Sequence, residues 1–369
     1  MTETLGRRGL NRATLARQYL LDRAPVRAID AIEHLGGMQS QAPLAPYIGL
    51  WTRLRDFDPH ELSTLTETRR VVRLHLMRNT VHLVSARDAL DWRTLFRPML
   101  AAEFGTRFRA GTNGVDVDAV LRHARGLLDE KPRTRAELGA LLAPHWPDAD
   151  PNALAYAATH HIPLCQVPPR GVWGAAGPAA WAPVESWLDA PLRTVPVDDL
   201  VLRYLGAFGP ATVADIQQWS GLTKLAEVVR RLPLRTFRTE SGQTLYDLPD
   251  APRPEADTPA PPRFLPAYDN LLLSHRDRTR VIVDNRPVPL PPGNGADTGT
   301  FLIDGVWRGT WRVDKQTLRI EPFTRLRPAD QDALLAEATR LCAFLTPGTP
   351  HEPILAHHPL SAPVMKPRT

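Results

Sequence analysis

Two glutamines separated by a single residue are the side chains of this chain best suited to chemistry. Gln39, Ser40 and Gln41 directly follow a Gly-Gly pair and a methionine. Residues i and i+2 point the same way only on an extended backbone, which would set two neutral carboxamides side by side. Each carboxamide offers one acceptor oxygen and two N–H donors, so the pair could clamp one water molecule. Neither amide is a strong base, so the substrate must already be prone to break.

The elements around this pair can be predicted from local signals. Residues 25–35 favour a helix that stops at Gly36 and Gly37, since glycine tolerates the left-handed conformation at a helix end. A helix is also predicted from Asn11 through residue 21, and another from Asp58. Two strands are predicted over residues 71–76 and 80–84, completing an irregular first unit.

Length and composition set the broad class. A chain of 369 residues with 43% hydrophobic content predicts two or three structural units with real cores. The sequence contains no run of eighteen apolar residues, and its first eight residues have no apolar signal-peptide core. Cys165 and Cys342 form neither a disulfide framework nor a metal-ligand spacing. We therefore expect a cytoplasmic protein without a membrane partner.

The charge of the chain indicates a partner class. The formal net charge is +5, the pI is about 9.5, and the 45 basic residues comprise four lysines and 41 arginines. Guanidinium groups suit phosphate geometry, which favours a polyanion such as nucleic acid. The alternative is that these arginines pair with the 40 acidic residues of the same chain.

A pattern of three helices followed by a hairpin occurs twice. The first copy has helices over 117–129, from Thr134 through 142, and over 151–161, then a strand over 163–167 and a return strand at Val172-Trp173. The second copy has helices over 197–208, 213–219 and 223–231, then strands over 234–240 and 244–248. This order is the winged-helix plan, and the alternative is a generic helix–hairpin repeat.

The C-terminal part changes character. A β-region is predicted from Phe264 to about Phe323, including residues 284–292 and a hairpin turn at Asp304-Gly305, before a closing helix over 329–344. The predicted fold is therefore α+β, with three tandem winged-helix units plus a C-terminal β-rich region. The predicted divisions are a first unit with the glutamine pair, two further winged helices, a Pro-rich linker, the β-rich region and a mobile tail: 8–116, 117–190, 195–250, 251–263, 264–345 and 346–369.

Four segments together resemble the AlkZ/YcaQ-like DNA glycosylases, from near Leu10 to near Phe344. The segments are Met-Gln-Ser-Gln-Ala-Pro at 38–43, Leu-Met-Arg-Asn-Thr-Val-His-Leu-Val at 76–84, Phe-Leu-Pro-Ala-Tyr-Asp-Asn-Leu-Leu-Leu at 264–273 with Arg-Asp-Arg at 276–278, and Asp-Gly-x-x-x-Gly-x-Trp at 304–311. The double glutamine resembles the AlkZ branch, associated with self-resistance to DNA-alkylating antibiotics. The YcaQ branch has aspartate in place of the second glutamine.

The resemblance implies a C-shaped arrangement of the three units around duplex DNA, and excision of N7-alkylated purines, including bulky natural-product adducts and, for some members, interstrand crosslinks. It implies that Gln39 and Gln41 are the catalytic pair and that His82 is an active-site neighbour. It also implies that a β-hairpin probes the lesion. The candidates are the Asp304-Gly305 hairpin and the wing at residues 168–173.

Further site residues follow from the same segments. Ser40 and Asp269 are expected beside the glutamine pair, in an open, solvent-facing site. The expected DNA-binding arginines are Arg78, Arg276, Arg278, Arg308 and Arg312. Most of the aromatic residues that could stack on a base are expected in the core because their neighbours are apolar: Tyr47, Trp51, Tyr268, Trp307 and Trp311.

The chemistry expected of the pair is hydrolysis without a general acid. An N7-alkylguanine is cationic and leaves as a neutral purine, so the site needs only to position water and stabilise an oxocarbenium-like transition state. No lysine lies near the pair, so we expect a monofunctional enzyme that leaves an abasic site. We expect no cofactor and no metal, since adjacent His160 and His161 point apart on a helix. The expected protein is a nucleoid-associated monomer that binds double-stranded DNA.

Two other functions remain open from the sequence. A non-catalytic winged-helix regulator would not need the glutamine pair, and would usually need dimer symmetry to read a palindrome. A resistance protein that sequesters free drug would need a closed apolar pocket.

Overall fold

The computed structural model describes residues 3–284, 286–288, 298–314, 317–346 and 352–356, which form a mixed α+β fold as predicted. Its helices are α1 Arg7–Arg17, α2 Ala28–His34, α3 Ala45–Trp51, α4 Pro59–Glu67, α5 Ala86–Trp92, α6 Arg97–Arg107, α7 Val117–Glu130, α8 Arg135–Leu142, α9 Pro151–His161, α10 Val184–Leu188, α11 Val197–Phe208, α12 Val213–Ser220, α13 Ala226–Arg231 and α14 Pro328–Leu345.

The strands belong to three sheets. They are β1 Thr4–Leu5, β2 Met38–Gln39, β3 Val71–His75, β4 Val81–Ser85, β5 Arg133–Thr134, β6 Leu164–Gln166, β7 Ala180–Pro183, β8 Arg235–Thr239, β9 Thr244–Asp247, β10 Arg263–Leu265, β11 Gly299–Ile303, β12 Val306–Asp314, β13 Thr317–Pro322 and β14 Glu352–Leu355.

One six-stranded sheet carries the glutamine segment. Its strand order is β2-β4-β3-β6-β7-β5, so strands from the predicted first and second units pair in one sheet. The join is the antiparallel pairing of β3 with β6, where Arg73 lies opposite Gln166. Since the backbone ladder crosses the predicted boundary near residue 116, the two units share one framework. The divisions themselves stay predictions.

The two predicted helix–hairpin copies have the predicted helix order. Thr134 and Thr212 each make a capping box, with Glu137 and Asp215 respectively, because a Thr hydroxyl satisfies an amide that the helix leaves unpaired. The third helix of the later copy begins at Ala226 rather than 223, since Lys224 has a left-handed backbone with φ of 60°.

The return strand predicted at Val172-Trp173 is wrong. β7 lies at Ala180–Pro183 instead. Val172 is buried and Trp173 packs on Tyr47, with ring centroids 5.0 Å apart, so these apolar residues serve the core rather than a strand ladder. Residues 167–179 therefore form a long loop between β6 and β7.

The first helix also begins earlier than predicted, at Arg7 rather than Asn11. Asn11 resembles a helix cap in sequence, but its side chain is buried and donates to the carbonyls of Arg280 (2.7 Å) and Gly305 (2.8 Å). Asn11 thus links α1 to two residues that are distant in the sequence.

The C-terminal sheet has the order β10-β11-β12-β13-β14 and packs against α14. The hairpin turn at Asp304-Gly305 is confirmed, since both residues have positive φ. Trp307 and Trp311 lie in the core, as predicted. The prediction that the whole tail from residue 346 is mobile is wrong for Glu352–Leu355, which pairs with β13; residues 347–351 and 357–369 lie outside the described part. The β-region predicted at 284–292 falls partly outside it too, and Pro287 and Val288 are not in a strand.

Arginines of α1 connect the third unit, the Pro-rich linker and the C-terminal sheet. Arg17 forms a fully buried bidentate pair with Asp247 of β9, at 2.6 and 2.9 Å. Arg12 donates to the carbonyl of Thr258 in the linker at 2.6 Å and also pairs with Asp304. The segment predicted as a linker is therefore held against α1. Among the described helices, none has the length and apolar content needed to cross a bilayer.

The Arg17–Asp247 pair gives a stability prediction. Arg17→Met leaves a buried carboxylate whose remaining cation partner among the described residues is Arg253, and should lower the free energy of unfolding by about 3 kcal/mol. The measurement is a urea titration followed by circular dichroism. Arg27→Met is the matched control, because Arg27 makes a similar bidentate pair with Asp30 on the exposed surface and should leave the midpoint unchanged. Equal midpoints for the two variants would contradict the prediction.

Candidate active site

The chain turns into the glutamine segment at two glycines. α2 ends at His34, and Gly36 and Gly37 have φ of 66° and 86°, as predicted for a helix stop. A Cβ on Gly37 would lie 2.6 Å from Val84 Cγ1, so only glycine allows this close approach to β4. The approach lets β2 pair with β4, with Gln39 opposite His82.

Both glutamines are held against the beginning of β4. The Gln39 Oε1 accepts from the guanidinium of Arg78 at 2.8 Å, and the Gln41 Oε1 accepts from the backbone N–H of Val81 at 3.1 Å. Arginine and a backbone N–H can only donate, so the oxygen of each amide is assigned by chemistry. The carbonyl oxygen of Gln39 has a second lone pair for a further donor.

The expectation of an exposed glutamine and serine is corrected. Gln39 is only 7% exposed and Ser40 is fully buried, while Gln41 is partly exposed. Ser40 donates its N–H to the Val81 carbonyl at 2.7 Å, and its hydroxyl and carbonyl accept from Arg73 at 2.9 and 2.7 Å. Because the N–H, hydroxyl and carbonyl of Ser40 all bond to other parts of the protein, Ser40 anchors the two glutamines rather than facing a substrate.

Arg73, which bonds Ser40, is a buried arginine. Its NH1 atom is buried without a hydrogen-bond partner among the described residues. Burial, and then the nearby charge of Arg170, lower the pKa of Arg73 to about 10. Its Cδ would lie 2.9 Å from a Cβ on Gly171, so the loop between β6 and β7 lies directly on it. The loop is thus a close neighbour of the Ser40 anchor.

His82 lies within the candidate site but is neutral. It is completely buried, and burial followed by the charge of Arg78 lowers its pKa to about 3. Its Nδ1 lies 3.0 Å from the Thr80 carbonyl, which assigns the proton to Nδ1 and leaves Nε2 as an acceptor. Nε2 has no partner among the described residues. His82 therefore cannot supply a proton near neutral pH.

The guanidinium of Arg78, which was expected to bind DNA, is occupied by acceptors of the protein. Its guanidinium donates to Gln39, to Asn270 Oδ1 at 2.9 Å and to the Trp219 carbonyl at 2.5 Å. Burial lowers its pKa to about 10, so the group remains charged at neutral pH. Arg78 thus belongs to the protein side of the site.

Asp269 is also committed to protein contacts. Its two oxygens each lie 2.9 Å from Arg53, and Oδ1 caps the N–H of Leu271. This buried pair fixes the turn that presents Asn270 to Arg78. Asp269 lies beside the site, as expected, but its charge is compensated by Arg53.

A small cavity of about 20 Å³ adjoins Gln39. Its polar lining includes Gln18, Gln39, Asp269 and Asn270, whereas Gln41 does not line it. A polar space of this size has room for about one water molecule. Of the two amides only Gln39 borders this cavity, so the cavity does not support the expected clamping of one water by both.

The other predicted DNA-binding arginines lie elsewhere. Arg276, Arg308 and Arg312 are exposed, and Arg278 is half-buried. Arg276 borders a separate cleft of about 790 Å³ between α1, the third unit and the linker. Arg308 and Arg312 lie on β12 in the C-terminal sheet. Among the described residues, no hydrogen bond joins any of these four arginines to Gln39.

The two candidate hairpins differ in what they contact. The Asp304-Gly305 turn packs on α1, and a Cβ on Gly305 would lie 2.5 Å from Leu15. The loop at residues 167–179 instead lies against Arg73, the partner of Ser40, and Tyr47 of α3 donates to its Gly171 carbonyl at 2.8 Å. Contacts with the site therefore favour this loop.

Sequence reasoning missed the roles of Asn270, Arg73 and the inward-facing Arg78. Asn270 lies within a segment that carries the family resemblance, so the segment was a signal without an assigned role. His160 and His161 do not meet a third ligand: no group of three His, Cys, Asp or Glu suited to a metal occurs among the described residues.

Comparison with known proteins assigns the family. A family model described as DNA glycosylase AlkZ-like matches residues 32–344. No curated protein matches the chain. Among solved structures, the Streptomyces sahachiroi DNA glycosylase AlkZ superposes with a TM-score of 0.73 at 19% identity, covering 96% of this chain and 100% of that chain. At that identity the superposition shows a shared fold, whereas the family match covers most of the sequence. The chain therefore belongs to the AlkZ-like family and is a DNA glycosylase acting on DNA.

Proposed function

We propose that this glycosylase hydrolyses the N-glycosidic bond of N7-alkylated purines in double-stranded DNA and leaves an abasic site. The observation that carries the proposal is the glutamine pair itself: two neutral amides with oriented oxygens, of which Gln39 borders a water-sized cavity, near a histidine that stays neutral. Gln39 and Gln41 are the proposed catalytic residues.

The proposed chemistry suits these weak groups. Alkylation at N7 makes the purine cationic, so the base leaves as a neutral molecule without a proton from the enzyme. The sugar acquires positive charge in the transition state, and amide oxygens aimed at it stabilise that charge. Water beside Gln39 donates a hydrogen bond to the remaining lone pair of Oε1 and is thereby held for attack on C1′. Unmodified bases are poor leaving groups and are spared.

The surroundings of the pair support a bulky substrate. The loop at residues 167–179 lies on Arg73, which anchors Ser40, and its tip residues Gly174, Ala175 and Ala176 are exposed. We propose that this loop, rather than the Asp304-Gly305 turn, contacts the alkyl adduct. Bulky natural-product adducts and interstrand crosslinks are the proposed natural substrates, in self-resistance or alkylation repair. The enzyme acts as a monofunctional monomer in this proposal.

The glutamines can be tested on a duplex containing one N7-methylguanine. Gln39→Ala and Gln41→Ala should each lower kcat for abasic-site formation about 100-fold, since each removes an oriented dipole at the developing charge. Gln217→Ala is the matched control, because its Oε1 also accepts from a backbone N–H, that of Leu225 at 3.1 Å. It should retain full activity.

The same assay decides between functions. No base release by the wild-type protein from methylated or bulky-adduct duplexes would falsify the proposed substrate class. Full activity in both glutamine variants would instead overturn the mechanism. Release of unmodified guanine at a comparable rate would contradict the proposed basis of selectivity.

The neutral histidines predict a stability that depends on pH and a catalytic rate that does not. The pKa values of His75 and His82 are lowered to about 3, and that of His160 to about 4, chiefly by burial. In the unfolded chain these groups titrate near 6.5. Their contribution to stability is therefore fully present above about pH 6.5 and is lost as the pH falls towards 3 to 4, by about 1.4 kcal/mol per pH unit for each histidine.

We accordingly expect urea midpoints to fall between pH 6.5 and 4.5, while kcat stays level from pH 6.5 to 8.5. Urea titrations and single-turnover rates over this range provide the measurement. A sigmoidal rate with a midpoint between pH 6.5 and 8.5 would show a titrating catalytic group that this site does not contain among its described residues.

A further inference from the structure

The guanidinium of Arg78 joins three segments that are far apart in the sequence. It donates to the Gln39 side chain, to the Asn270 side chain and to the Trp219 carbonyl, at 2.8, 2.9 and 2.5 Å. All three acceptors are neutral oxygens, so the charge of Arg78 is stabilised by dipoles rather than by a bonded carboxylate. Such a cation orders the dipoles around it.

The backbone at Arg78 is built for this contact. Arg78 and Asn79 have left-handed φ of 55° and 53°, which is uncommon for residues other than glycine. Gly221, with φ of 78°, follows α12, and a Cβ there would lie 3.2 Å from the Arg78 nitrogen. Local strain kept in place by close packing is typical of functional positions.

A donor-only group fixes which way an amide faces. Arg78 selects the oxygen of Gln39 and the oxygen of Asn270, and so turns the NH₂ group of each amide away from itself. With Oε1 of Gln39 fixed by one bond, the direction of its second lone pair is fixed too. Without the guanidinium, the amide could rotate and present N–H donors where the proposed mechanism needs an acceptor.

We propose that Arg78, supported by Asn270, is a positioning residue that sets the amide orientation of Gln39 for catalysis and does not contact DNA phosphate. This inference rests on the proposed function. It predicts that the effect of Arg78 on catalysis depends on Gln39. Lysine cannot replace it, because a single ammonium group lacks the fork that reaches three acceptors.

The first test is a double-mutant cycle on the N7-methylguanine duplex. Arg78→Lys should lower kcat about 10- to 100-fold in the wild-type background, and cause no further loss in the Gln39→Ala background. Asn270→Ala should show the same dependence on Gln39. Equal losses from Arg78→Lys with and without Gln39 would overturn the proposal.

The second measurement separates positioning from DNA binding. Arg78→Met removes the charge. If Arg78 contacted a phosphate, this loss would lower the magnitude of the slope of log affinity against log salt by about one, whereas loss of a positioning residue leaves the slope and the DNA affinity unchanged. Arg93→Lys is the control for burial, since Arg93 is also buried, donates to the carbonyls of His160 and Ile162, and has its pKa lowered to about 10. It should leave kcat unchanged. A reduced salt slope for Arg78→Met would overturn the proposal.

The third measurement does not depend on activity. The side-chain ¹⁵N–¹H resonances of Gln39, assigned by their loss in Gln39→Ala, should shift in Arg78→Lys and remain in place in Arg93→Lys. Unshifted resonances in Arg78→Lys would show that no such contact orients the amide. Because this readout needs no substrate, a wild-type protein inactive on alkylated duplexes would refute the proposed function while this measurement still decides the contact.

Discussion

The hydrogen bonding of one buried cation, Arg78, holds the candidate active site together. A guanidinium removed from water must find acceptors, and here they come from the glutamine segment, from the end of α12 and from the turn after Asp269. Satisfying that one group therefore brings the first unit, the third unit and the C-terminal region to one point. The orientation of Gln39 follows from this arrangement, since a donor-only partner accepts no other amide geometry.

The need of a buried guanidinium for acceptors also explains why many arginines of this basic chain make internal contacts. The sequence left two explanations for 41 arginines, a polyanion partner or internal pairing. Several of the largest buried side chains are arginines, which bridge parts of the chain through carboxylates and carbonyls: Arg12, Arg17, Arg53 and Arg93. The chain thus belongs to a DNA glycosylase family and also pairs many arginines internally. Composition alone does not tell which arginine serves which purpose.

The residues around the candidate site limit the chemistry that it can perform. His82 is uncharged because burial and the nearby Arg78 oppose its protonation, and Asp269 is already paired with Arg53. In the proposed mechanism the two amides act on the substrate, because they can orient water and stabilise positive charge without transferring a proton. A cationic leaving base suits such a site because it needs no acid, whereas an ordinary base does not.

Local signals in the sequence determined the elements, while tertiary structure decided the site. The Thr134 and Thr212 caps, the Gly36-Gly37 stop and the Asp304-Gly305 turn depend on residues within a few positions, so the sequence alone predicts them. The glutamine pair and its family were recognisable for the same reason, as short segments. The partners of Arg78 are 39, 141 and 192 positions away, and no local pattern selects among distant acceptors. Burial decided that Ser40 is an anchor and that the loop at residues 167–179 approaches it, because both depend on which surfaces the folded chain removes from water.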